Sequence, residues 1–445
     1  MIRRSTGWLV GTLAVVAVLV VIGYLVPTQS AVAVALAAAV LVVGLTAYEP
    51  VALPILAMPA LVIVQRVGGS GVDLTMSDFA VFAAMWAALV LGPRPFSPQL
   101  RSLLWLTAVY QVATLFTVIA NPYPQNTVEW FHAWLSTGGA LVVGWAVGRA
   151  GRARIGLTLF MVPCLIIAVL TCVAAVQQLA AGITGPVYLV WPYGMHKNFI
   201  GCVLGIAALV AYARPWWVGW PRWFAYTSFW LCALAVFASQ ARQGLVGMAI
   251  GIMIITLRAD PDRKRSKLIL LAAIPAIYFV VLAVQEQLSS DNEFNSANQR
   301  LTWYEQALEV WRTSPWVGVG LRWWVAERTQ YVFQPPNAEL EVLSSAGVIG
   351  LLGFLILFGG CVVVLWRMNP RFGTLALTVI LARFVQGQFD LFWSSIVVTL
   401  PFVIAGVCVG AEAYARSREA VRDGLVGLDP DRELTSVGEM ERTRR

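Results

Sequence analysis

Four cations in this chain stand where apolar surroundings make a charge expensive. Arg242, in Ser239-Gln240-Ala241-Arg242-Gln243-Gly244, lies between two apolar runs with almost no aqueous loop to hold it. Arg383, in Leu381-Ala382-Arg383-Phe384, lies within an apolar run, where a cation costs several kcal/mol unless it faces a wet or paired interior. Gln386, Gln388 and Asp390 continue that polar stripe, and Asp390 is a natural counter-ion for Arg383. Lys197 follows His196 at the start of another apolar run, and Arg300 opens an amphipathic segment. A guanidinium is a planar, permanently charged fork that grips phosphate oxygens two at a time, so such a set points to an anion at membrane depth. The diphosphate headgroup of a lipid is the natural anion there.

These residues must be positioned by helices. The chain is 59% hydrophobic and only 12% charged, with a mean hydropathy of +0.74, beyond the range of ordinary water-soluble domains. A bilayer core takes about 20 apolar residues per helix, and runs near that length follow one another almost end to end. The expected fold is an all-α, polytopic transmembrane bundle of about 12–14 helices. Its spans include 7–26, 50–65, 128–148, 222–239, 240–257, 267–284, 345–366, 372–390 and 394–414. The apolar run after Met1-Ile2-Arg3-Arg4 reads as the first of these helices, because no cleavage site followed by a soluble domain succeeds it. All six cysteines lie inside apolar runs without paired spacing, which suits small core residues better than a disulfide or zinc site.

A net charge of +8 would suggest nucleic acid in a soluble protein, but here the positions of the charges assign it to membrane orientation. With a cytoplasmic N-terminus, 23 of the 31 basic residues fall in cytoplasmic loops and termini, which is the positive-inside pattern. The chain then divides into transmembrane helices over 1–284, an extracytoplasmic loop at 285–343, further transmembrane helices over 344–414 and a basic cytoplasmic tail at 415–445. The tail reads as disordered. Both termini face the cytoplasm of a cell (plasma or inner) membrane. Within the long loop, 298–312 reads as an amphipathic helix, with Leu301, Tyr304, Leu308 and Trp311 at helical spacing. Pro315, Gly318 and Gly320 end it. This loop is expected to pack back over the bundle. Glu129 and His132 read as interfacial residues, and Ser77-Asp78 as a helix N-cap.

Three blocks on the extracytoplasmic side resemble the O-antigen ligase and O-antigen polymerase family of bacterial membrane glycosyltransferases. Gly194-Met195-His196-Lys197-Asn198-Phe199-Ile200-Gly201 is similar to a G-x-x-H-K-N-x-x-G pattern of the polymerase branch, and Ser239-Gln240-Ala241-Arg242 to an S-x-S-R turn. The third block begins at Arg300, passes Pro315, Gly318 and Gly320, and reaches Asn337-Ala338-Glu339-Leu340-Glu341-Val342-Leu343, then Gly347 and Gly350. Asp390 matches a late-helix aspartate. The likeness covers roughly residues 190–410, and order and sidedness make it specific where single motifs are weak. The family's ligases carry a histidine immediately before the asparagine; this chain has Pro336 there.

The resemblance implies a metal-independent, cofactor-free, inverting transfer of a glycan from a polyprenyl-diphosphate-linked oligosaccharide to the hydroxyl of a glycan or lipid-glycan acceptor. It implies that Arg242 and Arg300, with Lys197 and Arg383, bind the diphosphate, whose negative charge grows as it departs. The acceptor proton needs a base. Glu339 is the nearest candidate to the missing histidine, followed by Glu341, while His196 and Asp390 reach the site only through the fold. On one helix Glu339 and Glu341 point about 160° apart and cannot share a role. Two other classes stay open: a small-solute transporter, with Arg383 to Asp390 lining a path, and a non-catalytic partner of other polysaccharide-assembly proteins, which Pro336 permits. Membrane lipid is a partner in every case, and nucleic acid in none.

Overall fold

The computed structural model describes residues 16–67, 74–258, 296–393 and 395–422, positions 18, 28, 327 and 332 aside. It is an all-α structure with one two-residue hairpin that pairs Arg66–Val67 with Leu74–Thr75. Met1–Leu53 forms a unit of its own, containing the uncharged helix α1 (Ser30–Tyr48). The apolar run read as a span at 50–65 is helical only over α2 (Ala52–Ala60). The expected span at 267–284 lies outside the described residues.

Pro54–Arg445 forms the second unit. It contains α3 (Met76–Leu91), α4 (Pro98–Ala120), α5 (Pro124–Trp134), α6 (Ala140–Arg149) and α7 (Ala153–Ala180). After these come α8 (Lys197–Ala213), α9 (Arg222–Ser239), α10 (Arg242–Leu257), α11 (Ser296–Thr313), α12 (Ala338–Arg367), α13 (Pro370–Gln386) and α14 (Ser395–Arg422). A π-helical turn, Leu135–Gly139, joins α5 to α6 without a loop, so the span read at 128–148 begins a turn earlier. Among the described residues four helices, α4, α7, α12 and α14, are long and apolar enough to cross a membrane.

Two crossings set the frame. The most apolar 18-residue window of α14 is 94% buried, which makes this helix the centre of its unit. It lies against α6 through Gly406 and Gly410 on one side and Gly144 and Gly148 on the other: a Cβ on Gly144 would come within 1.9 Å of the Val403 carbonyl oxygen. Small residues four apart let backbones touch, the form of packing lipid-embedded helices use where no hydrophobic drive separates protein from solvent. At the second crossing Gly201 of α8 meets Ala241 and Gly244 of α10. This contact decides where the cations go, because it puts the first turns of the two helices side by side.

The long loop is stitched into a broken helix. α12 is interrupted at Gly347 (φ 67, ψ −170), which leaves carbonyls before the break and amides after it without helical partners. The segment Pro315–Gly320 supplies them. The amides of Val319 and Gly320 donate to the carbonyls of Ser344 (3.3 Å) and Ser345 (2.9 Å), and those of Val348 and Ile349 donate to the carbonyls of Pro315 (2.9 Å) and Trp316 (3.2 Å). A Cβ on Gly347 would fall 2.3 Å from Trp316 backbone. The loop also docks on the α4–α5 corner, where Asn121 donates to the Gly318 carbonyl (3.1 Å) and Asn126 accepts from the Leu321 amide (2.9 Å).

Three sequence expectations need correction. The long loop ends sooner than 343, because the Asn337 side chain caps α12 through the Leu340 amide. The tail does not begin at 415: α14 runs on to Arg422, held by Arg416–Glu412 (2.6 Å) and by Arg149 donating to Ser417 (3.1 Å). The cap of α3 is Thr75, while Asp78 reaches back to the Thr75 amide at 2.7 Å as the return half of a capping box. Five of the six cysteines are buried, and all are free.

Candidate active site

The site is assembled from helix ends. α9 stops where Gln240 takes a left-handed conformation (φ 56), and α10 starts two residues later, so Arg242 occupies a helix N-terminus with little loop around it. The His196 ring caps α8, its Nδ1 accepting from the Asn198 amide at 3.2 Å. With Gly201 against Gly244, Lys197 comes within electrostatic reach of Arg242. Arg300, from α11, and Asp390, from the turn between α13 and α14, lie within reach of Lys197 as well. Arg300 is tied to that turn by a hydrogen bond from Nη2 to the Phe389 carbonyl (3.2 Å).

Asp390 lies within electrostatic reach of Lys197 and one residue after the carbonyl that Arg300 holds. Its Oδ1 accepts from Asn198 Nδ2 (3.1 Å) and its Oδ2 from Gln243 Nε2 (3.2 Å), so two neutral amides fix its orientation. No direct ion pair joins it to Arg383 among the described residues, but Arg383 is the cation whose charge acts most strongly on it, in keeping with the counter-ion reading. Burial pushes the Asp390 carboxyl above the ordinary carboxylate range, and the Arg383 charge and the hydrogen bonds from the Leu391 amide and Asn198 offset part of that. Burial pushes the His196 imidazole below its ordinary range although Asp390 pulls the other way. It is thus neutral near pH 7 and able to accept a proton.

A ladder joins the start of α12 to the same turn. Asn337 donates to Gln388 (3.2 Å), the Ala338 amide to the Gly387 carbonyl (2.8 Å), and Gln388 in turn to Glu339 Oε1 (2.9 Å). Glu339 Oε2 is buried without a partner. Glu341 faces a different way, as the helical offset requires: it is buried, and its Oε2 accepts from the Phe392 amide at 3.0 Å. Pro336 is also buried.

Arg383 makes its hydrogen bonds elsewhere, although its charge acts on Asp390. It is fully buried in α13, with Nη2 donating to the carbonyls of Leu391 (2.8 Å) and Phe392 and the guanidinium over the Phe392 ring.

Sequence reasoning missed a second polar cluster. His132 Nε2 meets Asp78 Oδ1 at 3.2 Å and His132 Nδ1 meets Glu129 Oε1 at 3.5 Å, while Arg322 from the long loop lies 3.6 Å from Glu129 Oε2. His132 and Glu129 are buried, which corrects their reading as interfacial residues, while Asp78 is buried as it serves the capping box of α3. The i, i+3 spacing of Glu129 and His132 was the available signal. Asn198 and Gln243, each next to a residue singled out for charge, were also passed over.

Residues 227–355 match the sequence model of a family described as O-Antigen ligase. The match covers part of the chain and makes those residues similar to that family. The matched residues run from within α9 through α10 and α11 into α12, and so include Arg242, Arg300 and the Asn337–Glu341 segment. Lys197 and Asp390 flank them. No curated protein sequence matches the chain. The apolar helices and this match indicate an integral membrane protein, and the match supports a part in envelope polysaccharide biosynthesis with lipid-linked glycans as the general substrate class.

Proposed function

We propose that this protein transfers a glycan from a polyprenyl-diphosphate-linked oligosaccharide to a sugar hydroxyl at the extracytoplasmic face of the cell membrane, with inversion and without a metal. What supports the reading is the proximity of Lys197 to Arg242, Arg300 and Asp390, with Arg300 tied to the turn that carries Asp390. Both termini are assigned to the cytoplasm by the distribution of basic residues.

In this reaction the acceptor oxygen forms a bond to the anomeric carbon and the carbon–oxygen bond to the diphosphate breaks, its electron pair leaving with the diphosphate. The three cations stabilise that charge as it develops. The acceptor proton passes to Asp390, which is held by Asn198 and Gln243 beside the cations and whose basicity burial raises. Glu339, held by Gln388 one layer away, is the alternative acceptor of that proton.

The test is transfer from a polyprenyl-linked oligosaccharide by the full chain in proteoliposomes, with chelator present. Asp390→Asn is expected to reduce turnover by about a thousandfold while donor binding survives, the scale on which general bases act. Full activity in Asp390→Asn together with loss in Glu339→Gln moves the base to Glu339. Transport of a small solute with no change to any lipid-linked glycan overturns the proposal.

A further inference from the structure

Arg383 and Glu341 are buried charges that the reaction above does not use. Arg383 is 0% exposed and Glu341 4%, at positions where apolar side chains would avoid the cost of desolvation. They meet the same peptide units from opposite sides. Arg383 Nη2 donates to the carbonyls of Leu391 and Phe392. Glu341 Oε2 accepts from the Phe392 amide, and the Trp393 amide also bonds to this carboxylate. The carbonyl ends of the 391–393 turn thus face a cation and the amide ends an anion, so the two charges are joined through backbone dipoles rather than directly. Phe392 fills the space between, with its ring 4.6 Å from the guanidinium carbon. Arg383 is kept at this depth although its Nε and Nη1 find no partner. The two carbonyls are what its presence secures.

We propose that Arg383 and Glu341 are positioning residues that clamp the turn following Asp390 from both sides and so aim its carboxylate at the acceptor, neither of them touching donor or acceptor. The function assigned to Asp390 rests on the glycan-transfer reading; the clamp itself rests on the hydrogen bonds just described. The turn begins at the end of α13 and leads into α14. Residues 387–389 are held from α11 and α12 and Asp390 by Asn198 and Gln243, whereas the clamp holds the peptide units after Asp390. The Glu341 carboxylate is engaged by the Phe392 and Trp393 amides.

Conservative substitutions separate this from its rivals. Glutamine at 341 keeps an oxygen that accepts from the Phe392 amide, and alanine does not. Glu341→Gln is therefore expected to retain turnover within about threefold, whereas Glu341→Ala loses roughly tenfold to a hundredfold in kcat with KM little changed. If Glu341 were the base, both would fail alike, and that result overturns the proposal. Arg383→Lys keeps the charge and loses the fork, so kcat falls while the acidic limb of the pH profile stays in place. Arg383→Gln removes a charge that helps keep Asp390 ionised, so the carboxyl titrates higher and the limb moves to higher pH. His196, Lys197, Arg242 and Arg300, the other charged groups around Asp390, are unchanged in both variants, and Glu341 stays on the far side of the turn. An unmoved limb in Arg383→Gln overturns the electrostatic part.

Hydrogen exchange in the purified full-length protein tests the clamp without any substrate. The amides of 391–393 should exchange at least about tenfold faster in Glu341→Ala than in wild type or Glu341→Gln, as local opening becomes easier. Equal exchange in all three overturns the clamp even if Asp390 proves essential, while faster exchange in a protein that transfers no glycan upholds the clamp and removes the function. If Arg383→Lys does not accumulate, the paired Glu341 variants decide alone.

Discussion

Two polar clusters in the second unit, one around Asp390 and one around His132, solve opposite problems with similar residues. Around Asp390, the described cations Lys197, Arg242 and Arg300 come from three different helix starts, and neutral amides hold the carboxylate. Around His132, acid and base alternate, Asp78, His132, Glu129 and Arg322 each meeting the next within 3.6 Å, and the three members on α3 and α5 are buried. Charges that neutralise one another in a dry place serve to fasten elements together. On the proposed reading, cations gathered at helix starts beside a carboxylate held by uncharged donors serve an anion that arrives from elsewhere. The identity of the side chains does not distinguish these cases. Their partners do.

The comparison breaks first at the arginines. Arg242→Lys and Arg300→Lys should each lower glycan transfer by about a hundredfold, since a point charge cannot reproduce two parallel hydrogen bonds to a diphosphate. The unfolding temperature should stay near that of wild type. A large drop in that temperature with proportionate loss of activity would make the Asp390 cluster structural as well.

Glu129→Gln should do the reverse. It leaves His132 and Arg322 facing a neutral amide in a buried place, at a cost of about 3 kcal/mol, read as earlier unfolding in a detergent melt. Per folded molecule, transfer should hold. Selective loss of transfer with an unchanged melt would move the His132 cluster into the reaction.

A smaller effect is expected at Asn126, which accepts from the Leu321 amide and donates to the Asn121 carbonyl (2.8 Å). Asn126→Ala should cost about 2 kcal/mol, the scale of unmaking buried hydrogen bonds, and should raise protease sensitivity of the loop at 321–331 before the bundle melts. Uniform sensitivity along the chain would show that loop and bundle are fastened more broadly than this corner.

Much of the fold could be read from the sequence because membrane helices advertise themselves locally. The span expected at 222–239 is α9 to the residue, and the amphipathic helix expected at 298–312 is α11 (Ser296–Thr313). The site was legible where motifs carry backbone requirements: Gly201 permits the α8–α10 contact that brings Lys197 to Arg242. What stayed hidden depended on pairings across the chain. Nothing near Asp78 announces His132, which is 54 residues away. Arg383 and Asp390 look like partners at helical distance, yet the turn between them directs Arg383 to carbonyls and Asp390 to amides on α8 and α10. The end of α14 was misread because charge suggested a loose tail, while Arg149 and Glu412 supply partners there.

The stitched break in α12 has a consequence for how the chain is made. Pro315–Gly320 emerges from the ribosome before the residues that receive it, and its partners at 344–349 follow only after some thirty further residues. Until Ser345 has been synthesised, the amides of Val319 and Gly320 lack the carbonyls they bond in the folded chain. The closing loop is short, so its entropy is modest, and the two segments join as soon as both exist. Synthesis order thus makes the outer loop and the first turns of α12 one folding unit, completed before α13 and α14 are available to pack against it.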